Sequence, residues 1–132
     1  MMSWNGETGA LAIQQTLSTL PPGYAGTNYP STIMVSRDGR FLYTANRLFD
    51  SISIFALDAK TGRMTAKGHE LTRGSYPRHF GFDPAGKFMY VLHSQSDNIT
   101  VFRADPKSGR LTFTGKFYGV GSPSMIEFLK VG

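Results

Sequence analysis

Residues Asp38 to Arg63 read DGRFLYTANRLFDSISIFALDAKTGR, and 47 residues further on Ala85 to Arg110 read AGKFMYVLHSQSDNITVFRADPKSGR. Both stretches carry Gly, Phe, Tyr, Asp, Ile, Phe, Asp, Lys, Gly and Arg in the same order and spacing. Extended to Pro30–Thr72 against the segment 47 residues later, the match holds 13 identities over 43 pairs without a gap. Conservative pairs such as Ile54 with Val101 and Met64 with Leu111 fill much of the rest. Self-similarity of this kind decides the fold before any single motif does.

A period in the forties fits helical arrays or propeller blades, and the pattern inside the repeat chooses between them. Phe41–Asn46, Ile52–Ala56 and Met64–Glu70 are short runs rich in β-branched and aromatic residues. They are separated by Asp38-Gly39, Asp50-Ser51 and Lys60-Thr61-Gly62, which are turn sequences. No window keeps apolar residues at i, i+3 and i+4 over three turns. The first copy therefore reads as four strands, Ile33–Ser36, Phe41–Asn46, Ile52–Ala56 and Met64–Glu70. The second reads as His79–Asp83, Phe88–His93, Ile99–Arg103 and Leu111–Phe117. Phe88 to Leu92 is apolar on both faces, as expected of a sheet sandwiched between neighbours.

Two pieces lie outside the copies. Ala10–Thr16 follows Glu7-Thr8-Gly9, an echo of Lys60-Thr61-Gly62, and is expected to be the outer strand of a preceding blade. Met125–Val131 follows Ser122-Pro123, an echo of Tyr76-Pro77, and is expected to be the inner strand of a following one. The fold class is all-β: two complete four-stranded antiparallel propeller blades plus an outer and an inner strand, about ten strands in all. The divisions are 9–29 for the outer strand and loop, 30–72 and 77–119 for the blades, and 122–132 for the closing strand. Closure of a propeller takes four to eight blades. The expectation is therefore a fragment of a longer chain, with assembly of several copies into a ring as the alternative.

Composition supports a globular domain and excludes several functions. The chain has 132 residues, 40% hydrophobic and 13% aromatic, with 15 glycines and 7 prolines. There is no cysteine, which removes disulfides and thiolate metal sites. No apolar run approaches a membrane span, and Met1–Gly6 lacks the pattern of a secretory signal, so the expected location is the cytoplasm. The net charge of +5 is spread over residues such as Arg37, Arg47, Lys60, Arg73 and Lys87 rather than gathered in a stripe. Nucleic acid and membrane partners are therefore not expected, whereas anionic small molecules suit the charge.

Thr19-Leu20-Pro21-Pro22-Gly23-Tyr24, the run Val35 to Tyr43, Asn46-Arg47, Asp50-Ser51-Ile52, Tyr76-Pro77-Arg78, Asp83 to Phe88 and Pro106 to Leu111 occur in that order. Together they resemble the lactonase-type seven-bladed β-propellers, which include cycloisomerase-type 6-phosphogluconolactonases and fungal carboxymuconate cyclases. The resemblance spans about Gly9 to Lys130 and implies the C-terminal portion of such a propeller, with roughly four blades upstream.

In a blade, the loop leading into the innermost strand and the loop between the second and third strands open on one end of the ring. Arg78 lies in the first kind of loop and Arg47 in the second, so both are expected at one rim of the channel. Their repeat partners are Ser31 and Ser94, so neither arginine is part of the repeated framework. Arginine offers a planar fork of donors to carboxylate or phosphate, and the resemblance implies such a role for Arg47 and Arg78. The bland alternative pairs a rim arginine with a carboxylate such as Asp50. His79 and His93 fall near the same rim and are candidates for a general base, although a packed histidine is the commoner case. His69 is expected on the surface. Where the resemblance implies an acidic residue on the inner strand, this chain has Thr32, which cannot be a carboxylate base. Asp50, Asp58, Asp97 and Asp105 recur at blade spacing and suggest turn-stabilising bonds to backbone. No metal, cofactor, Gly-rich phosphate loop or Gly-x-Ser-x-Gly motif is indicated. Tyr24, Tyr29 and Tyr118 lie in loops and could shape a sugar pocket. The resemblance thus implies a sugar-lactone hydrolase, with 6-phosphogluconolactone as substrate, the fragment alone being inactive. A non-catalytic interaction scaffold and a carboxymuconate-type cycloisomerase are the alternatives.

Overall fold

Three hairpins are built on one piece of turn chemistry. The side-chain oxygen of Asn5 accepts from the N–H groups of Glu7 and Thr8, and Asp58 does the same for Lys60 and Thr61. Asp105 repeats it with Lys107 and takes a further bond from the Ser108 hydroxyl. Four residues after each, Gly9, Gly62 and Gly109 close the turn at φ 70, 69 and 74, a left-handed conformation that costs glycine little. The exposed carboxyls of Asp58 and Asp105 are held below the usual carboxylate range by these bonds, with the Thr61 and Lys107 N–H groups as the largest causes.

The computed structural model describes residues 1–129 and contains ten strands there. β3 (Tyr29–Val35), β4 (Phe41–Arg47), β5 (Ser51–Leu57) and β6 (Met64–Leu71) form one antiparallel sheet in sequential order. β7 (Pro77–Phe82), β8 (Phe88–His93), β9 (Asn98–Ala104) and β10 (Leu111–Gly119) form a second of the same order. β1 (Met2–Trp4) and β2 (Leu11–Ile13) make a two-stranded hairpin. The two four-stranded sheets run from Tyr29 to Leu71 and from Pro77 to Gly119. The expected outer strand at Ala10–Thr16 shortens to Leu11–Ile13 and gains β1 as a partner, a strand the sequence reading did not anticipate. Met125–Leu129 runs without ladder bonds, and Val131 lies outside the described residues.

The core lies between the two complete blades. Phe41, Tyr43, Ala45 and Ile54 from the first meet Phe80, Met89, Val91 and Phe102 from the second. Burial of each large side chain contributes about 1.5–3 kcal/mol. The Tyr43 hydroxyl crosses the junction and donates to the Gly109 carbonyl at 2.9 Å. Burial, the largest cause, pushes this phenol up to about 12. On the other side of the first blade, Ile33, Leu42, Phe55 and Leu57 border an open groove of about 780 Å³ with Met1, Met2 and Leu17. On the far side of the second blade, Phe128 packs on Tyr90 at 5.2 Å. Ile126 lies so close to Gly81 that a Cβ there would sit 2.9 Å from its Cγ2.

A second recurrent device joins the blades at one end. Asp50 accepts from the Tyr76 N–H at 2.8 Å, and Asp97 from the Ser122 N–H at 2.7 Å. Each aspartate therefore reaches past its own turn to the loop leading into the next inner strand. Tyr76 and Ser122 both precede a proline and both have positive φ, 63 and 40.

Candidate functional site

The inner strands are irregular where the chemistry is expected. The register shifts between Pro30 and Ile33 in β3, and between Pro77 and His79 in β7. In each case one extra residue stands on the inner strand. Such bulges re-aim side chains, and here the extra residue of β7 is Arg78, which is exposed. Arg78 is exposed while Nε2 of the neighbouring His79 is enclosed, so the two side chains take different environments.

Arg47 closes β4 opposite Tyr29. Its Nε–H donates to the Tyr29 carbonyl at 3.0 Å and an Nη2–H to the Pro30 carbonyl at 3.3 Å. The guanidinium also lies over the Tyr76 ring at 5.2 Å and the Tyr29 ring at 6.0 Å. Tyr76 is two residues before Arg78, so both arginines lie at the end of the blades where chain enters the inner strands. Among the described residues the ion pairs are Asp38–Arg40 and Glu70–Arg73. Asp50 is engaged with Tyr76 instead of Arg47, so the bland pairing does not form.

The structure separates the two histidines. His79 lies on β7 and meets its repeat partner across the blade junction, with Nδ1 3.1 Å from the Thr32 hydroxyl. That hydroxyl donates to the Arg78 carbonyl at 3.3 Å. A hydroxyl has one proton, and a carbonyl only accepts. With the proton on the Arg78 bond, Thr32 Oγ1 accepts from a protonated Nδ1, and Nε2 keeps its lone pair. Nε2 is enclosed and has no partner among the described residues. His93 is instead fully buried within the blade junction, its Nδ1 3.3 Å from the Asn98 carbonyl. Gly74 covers its ring so closely that a Cβ would come within 2.5 Å. Desolvation pulls its imidazole below the ordinary histidine value, against the smaller opposing effects of the Asn98 carbonyl and Asp50. This placement is that of a packing residue rather than a channel base.

A polar network behind Arg47 was not legible in the sequence. Asn46 is fully buried; its two Nδ2–H protons are shared among the Thr19 carbonyl and the Ser51 and Ser53 hydroxyls, while its Oδ1 accepts from Asn28. Thr19 begins the Leu-Pro-Pro-Gly loop, and its carbonyl also contacts His69 Nε2 at 2.9 Å. His69 is thus half-buried against that loop and against Phe49 rather than free on the surface. Tyr24 packs on Phe49 at 4.8 Å, a packing role. No three His, Asp or Glu side chains converge among the described residues.

Residues 1–128 match the family model described as "Lactonase, 7-bladed beta-propeller". The chain belongs to the seven-bladed β-propeller lactonase family. A 6-phosphogluconolactonase of Bacillus subtilis is 35% identical over 83 residues, 63% of this chain and 24% of that protein. An uncharacterised Lactococcus lactis protein is 40% identical over 83 residues, again 24% of its length. The periplasmic gluconolactonase of Pseudomonas aeruginosa superposes with TM-score 0.93 at 35% identity, over 99% of this chain and 36% of that one. This lactonase-family chain thus spans about a quarter of the length of the curated relatives it matches and about a third of the solved structure. Arg47, Thr32, Arg78 and His79 fall within the matched span of the lactonase model.

Proposed function

We infer that this chain is part of a propeller that hydrolyses a sugar lactone, with 6-phosphogluconolactone as the substrate and Arg47 and Arg78 as its anion-binding residues. The observation that carries the reading is the rim geometry. Two arginines absent from the repeated framework lie at one end of adjacent blades. Arg47 spends two of its five N–H donors on Tyr29 and Pro30, leaving three for oxygens of a phosphate or carboxylate. Hydrolysis needs a base that takes a proton from water as the water adds to the lactone carbonyl, and that returns the proton to the ring oxygen as the C–O bond breaks. His79 Nε2 is enclosed and Thr32 carries no carboxylate, so the remaining blades supply that base. The remaining blades of the longer protein supply the rest of the channel.

The test is turnover of 6-phosphogluconolactone by the full-length protein carrying Arg47→Ala or Arg78→Ala. Loss of a charge-assisted pair worth about 1.5–3 kcal/mol lowers kcat/KM roughly 10- to 150-fold. Unchanged turnover in both variants removes the assignment. A non-catalytic scaffold is the second reading, favoured by Thr32, and is supported if the wild-type protein leaves the lactone intact. Conversion of a carboxymuconolactone instead supports the cycloisomerase reading. The same inference takes the protein as cytoplasmic, although the Pseudomonas relative is described as periplasmic; cell fractionation decides it.

A further inference from the structure

We propose that Tyr29 and Tyr76 form an aromatic clamp that fixes the Arg47 guanidinium, making Tyr76 a positioning residue of the anion site. This rests on the site reading above and adds to it the device that orients its arginine. Tyr29 and Tyr76 are equivalent, 47 residues apart, and each precedes the proline that opens an inner strand. Arg47 lies between them, 6.0 Å from one ring and 5.2 Å from the other. At the next junction the corresponding residues are Ser94, in place of the arginine, and Ser122, in place of the tyrosine. Arginine and tyrosine occur together at one junction, and serine and serine at the other.

The backbone at Tyr76 shows that the ring is kept there at some cost. Its φ is 63, a region bulky side chains avoid. Pro77 follows, and proline pushes the residue before it toward extended conformations. Two bonds hold the residue in place: its N–H donates to Asp50, and its carbonyl accepts from the Ser94 N–H at 3.2 Å. The framework needs this backbone, since Ser122 repeats it with Asp97. It does not need the ring. Strained residues that the surroundings hold in place gather at binding sites, and the group this ring touches is Arg47. With Nε and one Nη2–H spent on carbonyls, two ring faces within 6.0 Å restrict how the guanidinium can turn its remaining donors.

The test compares Tyr76→Ser, Tyr76→Phe and wild type by urea unfolding, by nuclear magnetic resonance relaxation of the Arg47 Nε–H, and by titration with inorganic phosphate. Serine is the residue the framework already carries at the equivalent position. Expected is a Tyr76→Ser unfolding midpoint equal to or above wild type, a more mobile Arg47 Nε–H and a roughly three- to tenfold weaker phosphate response. Tyr76→Phe retains the wild-type behaviour. An Arg47 as ordered in Tyr76→Ser as in wild type overturns the clamp, and so does equal loosening in Tyr76→Phe. If the serine variant loses stability, Tyr76→Gly, free of the φ penalty, repeats the comparison with the same two outcomes. Phosphate that moves neither the Arg47 nor the Arg78 signals in wild type counts against the anion site, while the relaxation result still decides the clamp.

Discussion

Gly62 and Gly109 occupy the same place in the same turn, yet replacing Gly109 by alanine should cost about twice as much as replacing Gly62. Their φ values, 69 and 74, are nearly equal, so the left-handed penalty of about 1–2 kcal/mol applies to both. Their surroundings differ. A Cβ at Gly62 meets only the Met1 sulfur at 3.4 Å, ordinary contact with a flexible side chain. A Cβ at Gly109 falls 2.4 Å from Phe41 Cδ1 and 2.7 Å from Cγ. Phe41 is 6% exposed and belongs to the core between the blades, so displacing its ring disturbs that packing. Overpacking of this kind adds about 1–3 kcal/mol, giving about 2–5 kcal/mol for Gly109→Ala against about 1–2 kcal/mol for Gly62→Ala. With a urea slope of about 2 kcal/mol/M, the midpoints fall by about 1–2.5 M and about 0.5–1 M. A double-mutant cycle with Phe41→Leu should return about 1 kcal/mol or more of coupling to Gly109→Ala. Equal losses at the two glycines, or no coupling to Phe41, would refute the view that the blade junction rather than the turn sets the cost.

Removing the hydroxyl in Tyr43→Phe leaves the buried Gly109 carbonyl without its donor and should cost about 1–2 kcal/mol in urea unfolding, whereas Tyr90→Phe, at the equivalent position, should be near neutral. Asp50→Ala strips the acceptor from the Tyr76 N–H and should lower stability by about 1–3 kcal/mol, with Asp50→Asn recovering much of it. His93 carries a pH signature. Its folded-state value is depressed, so the unfolded chain takes the proton first as pH falls. Stability is full above the unfolded value near 6.5 and declines as pH drops below it. Urea midpoints measured from about pH 7.5 down to about 5 should fall in wild type and fall less in His93→Gln. Asp38, lowered to about 2 chiefly by the Ser36 hydroxyl, acts in a separate window: its contribution is present above 3.8 and lost as pH falls toward 2.

Much of the architecture follows from residue order because the repeat carries its own turn chemistry. Asp58 and Gly62, with Asp105 and Gly109, fix hairpins locally. β1 escaped because three residues and an asparagine-based turn are too short a pattern to recognise. Arg47 and Arg78 stood out as departures from the repeat, which is a sequence property. His93 did not reveal its burial, since polar residues at strand ends face water or a neighbouring blade according to how the blades stack. Tyr29 and Tyr76 lay just beside the most similar stretch, and their shared contact with Arg47 required both blades to be in place.

The order of residues determined the strands and turns of the repeated segments and the exceptions to their symmetry, because each depends on neighbours within a few positions or on the copy 47 residues away. Only the tertiary structure decided which partner each rim side chain takes. The Thr32–His79 bond, the Asp50–Tyr76 bond and the cation–π contact of Arg47 with Tyr76 all cross between blades. Contacts of this kind are set by the bulges in the inner strands and by the angle at which two sheets pack, and neither is written in local spacing.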